Sequence, residues 1–138
     1  MWLVEINPRS YVPVYQQLAD ILREKIHSGE LQPGTVLPGE HDLARQYEIS
    51  RPAVRQALGV LRAEALIVTL RGESTRVRHQ PERQPLVIDA TTRVWFRQPT
   101  PAERVELRID EGVGLAVIET EGEPPRTLPA DEVFITGR

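Results

Sequence analysis

The 138 residues include 17 Lys and Arg against 20 Asp and Glu, 12 Pro, 9 Gly and no Cys. That length holds one ordinary domain or two small ones and leaves little room for a two-lobed enzyme. Without cysteine there is no disulfide scaffold, thiolate metal site or cysteine nucleophile. The longest apolar runs, such as Leu115–Ile118, are too short to span a bilayer, and Met1–Ile6 lacks the basic leader and long apolar core of a secretory signal. A soluble, cytoplasmic protein with no membrane partner is the expectation.

The net charge of −3 hides an asymmetry. Residues 45–78 carry seven Arg and three acids, whereas residues 80–138 carry seven Arg and eleven acids. A basic segment beside an acidic one points to a polyanion met by one end of the chain only. Organisation changes near residue 80. Residues 12–79 show strong apolar periodicity, and His79–Pro85, with two prolines and few apolar side chains, reads as the start of a linker over 80–90.

In chain order, Pro13 opens a helix whose apolar stripe is Val14, Leu18, Ile21, Leu22 and Ile26, stopped by Ser28-Gly29. Leu31–Pro38 is an extended, proline-punctuated turn. A second helix is predicted over Glu40–Tyr47, with Leu43, Ala44 and Tyr47 inward. Ser50 is placed to cap a third helix over Arg51–Glu64, because its hydroxyl can accept from an orphaned backbone N–H. Pro52 lies in the first turn, where its missing N–H breaks no helical bond. Val54, Ala57, Leu58, Leu61 and Ala65 form the core face of that helix. Leu66–Leu70 and Thr75–Arg78 read as two strands around a Gly-containing turn, Arg71–Ser74. Helix, helix, short turn, helix, hairpin is the order of a winged helix-turn-helix.

Arg51 and Arg55 fall in the first two turns of the third helix, beside the apolar stripe rather than within it. A recognition helix offers side chains to base edges in the major groove from this position, and the planar guanidinium can donate two bonds to guanine O6 and N7. Arg62 lies two turns further on and is expected to pair within the protein. The basic turn Arg71–Arg78 can reach phosphate or the minor groove.

These residues carry a resemblance. Val14-Tyr-Gln-Gln-Leu-Ala, Ile26-His-Ser-Gly-Glu-Leu-Gln-Pro-Gly, Leu37-Pro-Gly-Glu, Leu43-Ala, Ile49-Ser-Arg-Pro-Ala-Val-Arg-Gln-Ala-Leu and Leu61-Arg-Ala-Glu-Ala-Leu-Ile follow one another as in the DNA-binding domain of the GntR family of bacterial transcription regulators. The resemblance covers about 65 residues. It implies a winged helix that binds an operator as a dimer, most often as a repressor released by an effector. It also implies base-reading arginines at Arg51 and Arg55, a helix cap and phosphate contact at Ser50, and wing contacts at Arg71 and Gly72. With His41, Pro52 and Arg76 these make up the candidate DNA contacts. The sequence departs from the family pattern at five points. His41 stands where many members have Arg or Lys, which makes that contact weaker or pH-dependent. Gly39 replaces the usual Ser or Thr cap, and Pro52 cannot donate to phosphate. Ala65 replaces a helix-ending glycine and Ser74 a second wing glycine.

Beyond the linker, Arg97–Ile118 resembles the opening of the UTRA effector domain of HutC-type members, a domain at least twice as long as the 48 residues of 91–138. Thr100, Pro101 and Glu103 have the spacing of a capping box. Leu115–Thr120, Arg126–Leu128 and Val133–Thr136 read as strands, with Glu121-Gly-Glu as a turn. Trp95 and Phe96 are assigned to core or dimer-interface packing rather than to a pocket. The expected architecture is therefore α+β: a winged helix over 1–79 and a small, strand-rich dimerisation or truncated effector-type domain over 91–138. A small-molecule effector is less expected than in longer relatives.

His27, His41 and His79 lack metal-ligand spacing and no Gly-rich phosphate loop is present, so neither an enzyme nor a cofactor is expected. Two functions stay open: a dimeric regulator reading a pseudo-palindromic operator, and a winged-helix architectural or protein-contacting factor in plasmid or chromosome maintenance.

Overall fold

The computed structural model describes residues 5–137. The chain divides into two units, Met1–His79 and Gln80–Arg138.

The first unit is built on three helices: α1 (Val14–His27), α2 (Glu40–Tyr47) and α3 (Arg51–Ala63). Leu18, Ala19 and Leu22 of α1, Leu43 and Ala44 of α2, and Val54, Ala57, Leu58 and Leu61 of α3 meet in one buried cluster, closed by Leu37, Ile67 and Val77. Most of the helical ones are positions of the expected stripes, whereas Ala19 lies beside the stripe of α1 and Ala65, expected on the core face of the third helix, falls outside both helix and cluster. Each fully buried Leu or Val stabilises the unit by about 1.5–3 kcal/mol. At the start of α1, Gln17 ties down the preceding segment. Its side chain accepts from the Asn7 N–H at 2.8 Å and donates to the Asn7 and Val12 carbonyls, both at 2.8 Å.

The hairpin is short. Strands β1 (Ile67–Thr69) and β2 (Thr75–Val77) pair antiparallel, with Thr69 opposite Thr75. The segment predicted as a plain turn, Leu31–Pro38, also lines the other edge of β2. Leu37 N–H donates to the Thr75 carbonyl, Val77 N–H to Thr35, and Gly34 N–H to Val77, all at 2.8–2.9 Å. Gly34 has φ +86°, a left-handed backbone angle that favours glycine.

Helices α2 and α3, and α4 (Pro101–Leu107) in the second unit, each stop on a left-handed residue that is not glycine: Glu48 (φ 55°), Ala65 (φ 58°) and Arg108 (φ 53°). After α3, Leu66 N–H donates to the Leu61 carbonyl and Ala65 N–H to Arg62, the paired bonds of a Schellman ending. The Cβ of Ala65 crowds the backbone in this region, which glycine avoids.

In the second unit β4 (Thr92–Arg97), β5 (Leu115–Thr120) and β6 (Arg126–Pro129) form an antiparallel sheet in that order. Strands β3 (Gln84–Ile88) and β7 (Val133–Gly137) pair in parallel. Leu86, Ala116, Ile118 and Val133 are buried together, with Ile88, Val94 and Leu128 against them. Two expectations need correcting. The stretch 80–90 is not simply a linker, since it contains β3, whose Leu86 and Ile88 alternate inward between exposed or polar neighbours. Trp95 and Phe96 are not core residues of the single chain, being 43% and 53% exposed; as neighbours on a strand they point to opposite faces.

Helix α4 carries the predicted capping box. Thr100 Oγ1 accepts from the Glu103 N–H at 3.2 Å, and Glu103 Oε1 accepts from the Thr100 N–H at 2.9 Å. Both oxygens of Glu103 also receive Arg97, at 2.7 and 2.8 Å. The Arg97 guanidinium, and then the Thr100 N–H, push the Glu103 carboxyl down to about 2.

Two outcomes are expected. Ala65→Gly should raise the stability of the first unit by about 0.5–1 kcal/mol, read as a higher denaturation midpoint at unchanged slope. A depressed carboxylate contributes stability above its unfolded pKa and loses it as pH falls through the folded one. The α4 cap should therefore be intact above pH about 4.5 and lost toward pH about 2, which a side-chain carboxyl NMR titration of Glu103 checks.

Candidate nucleic-acid interface

Helix α3 buries Val54, Ala57, Leu58 and Leu61. At 100° per residue this sets Arg51 and Arg55 on the flank of the buried stripe, where both are exposed. Ser50 Oγ accepts from the Ala53 N–H at 3.3 Å, and Pro52 sits in the first turn. This fixes where the helix starts, and so which side chains stand at its tip.

Arg51 and Arg55 are more than half exposed and converge on one acid. Arg55 Nε donates to Glu40 Oε2 at 2.9 Å, and an Arg51 Nη stands 3.7 Å from the same oxygen. Glu40 is the first residue of α2, so one carboxylate joins the starts of both helices of the helix-turn-helix. The Arg55 bond uses Nε and leaves the two terminal nitrogens as a planar pair of outward donors. His41, next to Glu40, is exposed.

The other end of α3 is anchored as well. Arg23 on α1 donates to both oxygens of Glu64, the residue closing α3, at 2.7 and 2.5 Å, and to Asp20 at 2.6 Å. These bonds raise the Arg23 pKa above its ordinary value, and hydrogen bonds from Gln16 and then Arg23 lower that of Asp20. Arg62, in the last turn of α3, donates to Thr69 Oγ1 at 3.3 Å, and Thr69 shares a 2.6 Å hydrogen bond with Thr75. The root of the wing is thereby tied to the helix.

At the wing tip Gly72 has φ 77°, and Glu73 N–H closes the turn onto the Leu70 carbonyl at 2.9 Å. Arg71, Gly72 and Arg76 are exposed, Arg76 within β2 opposite Val68. All eight residues singled out from the sequence therefore lie on the surface of the first unit. Glu40, Arg23 and Thr69 went unselected. The contacts of Glu40 with Arg55 and of Arg23 with Glu64 span 15 and 41 residues, which periodicity does not register, and an acid in a basic site does not stand out by charge.

Three helices, a two-stranded wing and an exposed arginine pair at the tip of the third helix define a winged helix-turn-helix. Residues 14–77 match the model of the bacterial regulatory proteins of the gntR family. YtrA from Sulfolobus acidocaldarius, a GntR-family transcription factor, is 32% identical with a TM-score of 0.53, over 56% of this chain and 82% of that one. The chain belongs to the GntR family of bacterial regulatory proteins, a family of regulators rather than enzymes.

Among curated relatives, the transcriptional repressor NagR of Bacillus subtilis (strain 168) is 38% identical over 104 residues, 74% of this chain. The chain spans 43% of that relative's length. A transcriptional antiterminator from Listeria monocytogenes EGD-e shares the fold at 21% identity and a TM-score of 0.54, over 78% of this chain and 69% of that one.

Glu40→Gln keeps the size of the side chain and removes its charge. It should loosen Arg51 and Arg55 and lower discrimination against a mismatched base pair by about 1 kcal/mol, on the scale of a charge-assisted hydrogen bond. Competition binding with matched and mismatched duplexes checks this; unchanged discrimination would remove Glu40 from the site.

Proposed function

We propose that the protein is a cytoplasmic, nucleoid-associated transcription regulator that binds a pseudo-palindromic operator in double-stranded DNA as a homodimer and acts as a repressor. The observation that carries this reading is the pair Arg51 and Arg55, exposed at the Ser50-capped tip of α3 and held on one carboxylate. Two copies would lay α3 in successive major grooves, about 34–36 Å apart, with Arg51 and Arg55 on base edges and Ser50 on phosphate. Arg71, Gly72 and Arg76 would meet phosphate or the minor groove, and His41 an adjacent phosphate. Pro52 would contribute shape, having no N–H to donate.

Repression is supported by NagR, which carries that activity in its name. Its alignment covers 74% of this chain, more than residues 1–79 contain, so the likeness extends into the second unit. That unit is read as the dimerisation element. No helix among the described residues is long and apolar enough to cross a membrane.

Selection of binding sites from random duplexes tests the reading. A twofold-symmetric site should emerge. Arg51→Ala or Arg55→Ala should each lose about 1–3 kcal/mol of specific binding and relax preference at one base pair per half-site. Arg71→Ala should weaken all sequences alike and reduce the salt slope by about 1. Equal weakening of every sequence by both classes of variant would overturn base reading and favour an architectural factor.

A further inference from the structure

We propose that the outer edge of β4 is where two copies of this chain join, pairing antiparallel about a twofold axis through Trp95. The proposal rests on the homodimer reading above and adds to it the strand, the register and the residue on the axis.

Among the described residues the two sheets leave four outer edges, on β3, β4, β6 and β7. Proline cannot donate to a ladder and blunts an edge. β3 contains Pro85 and β6 ends on Pro129, which leaves β4 and β7. Each exposes two large apolar neighbours, Trp95 and Phe96 on β4 and Phe134 and Ile135 on β7, and β4 is the longer at six residues against five.

Two copies of one strand that extend a sheet across a twofold axis must set odd residues against odd and even against even, because residues opposite one another share a face. The run Arg93-Val94-Trp95-Phe96-Arg97 reads nearly the same in both directions. Centred on Trp95, it sets Trp95 against its own copy, Val94 against Phe96, and Arg93 against Arg97. Aromatic and β-branched pairs of this kind stabilise antiparallel ladders. Centred on Ile135, β7 would set Phe134 against Thr136 and Val133 against Gly137; centred on Phe134, it would pair Val133 with Ile135 but overlap over only three residues, against five on β4.

Two arginines facing each other would repel, but each brings an acid. Arg97 is held by Glu103 at 2.7 and 2.8 Å. Arg93 is the register partner of Glu119 on β5, so both lie on the same face of the sheet. Each end of the joint would thus hold two arginines and two glutamates in balance. A second copy supplies this balance, whereas a strongly acidic or basic partner would upset it.

The cysteine-free chain makes a direct test possible. Residues opposite each other across an antiparallel pair have Cα atoms about 4.5–5.5 Å apart, within reach of a disulfide. Trp95→Cys should give a covalent dimer under mild oxidation. Phe96→Cys, whose copy lies on the diagonal at about 7–8 Å, should cross-link at least about tenfold more slowly. Ile135→Cys on β7 should stay monomeric on a non-reducing gel. Each variant is also tested for binding to the selected operator.

Rapid linkage at 95 with operator binding kept supports both the joint and the regulator reading. Linkage at 95 without sequence-specific binding supports the joint and overturns the regulator reading. Linkage at 135 instead, or at 96 as fast as at 95, overturns the joint or its register and leaves a dimeric regulator standing. Operator binding by a chain that sediments as a monomer and links at none of the three positions overturns both the joint and the dimer.

Discussion

Helix α3 must satisfy two solvents at once. Its stripe of Val54, Ala57, Leu58 and Leu61 is drawn into the core by the loss of apolar surface from water, and that burial decides which way every other residue of the helix points. Rotating it by one residue would bring Arg55 toward the core, where an unpaired guanidinium is not tolerated. The exposed arginines are thus a consequence of the core. The remaining devices hold the helix at its ends: Ser50 and Glu40 at the tip, Arg23 through Glu64 at the tail, and Arg62 through Thr69 to the wing.

Much of the first unit was legible because its determinants are local. A capping hydroxyl, a proline in the first turn and a 3.6-residue apolar period act within one or two turns of chain, and α2 falls over the predicted Glu40–Tyr47. The arginine pair was legible for the same reason, since its direction follows from the stripe. Glu40 was not: its effect depends on the angle between α2 and α3, a property of packing rather than of any one segment.

The second unit shows the opposite balance. Thr100 and Glu103 announce their capping box three residues apart and form it. Gln84–Ile88 was read as part of a linker because Pro85 and the polar residues before it dominate the window, and only Leu86 and Ile88 face inward. A strand so short becomes one through its partner, and β7 lies far along the chain. For Trp95 and Phe96 the expectation of core or dimer-interface packing carried no location, since composition marks apolar side chains but does not say which surface covers them, and the core alternative does not hold within the single chain.

The parallel pairing of β3 with β7 has a temporal consequence. The first and last strands of the second unit meet only when Gln84 finds Val133, closing a loop of about fifty residues and paying its entropy before any reward. The first unit also closes over distance, α1 reaching α3 through Arg23 and Glu64, but every residue it needs precedes β3 in the chain. On the ribosome, where the N-terminal part emerges first, the helices that carry Arg51 and Arg55 can assemble while β7 is still to be made. Synthesis thus completes the residues of the arginine-bearing unit before the β3–β7 pair can close.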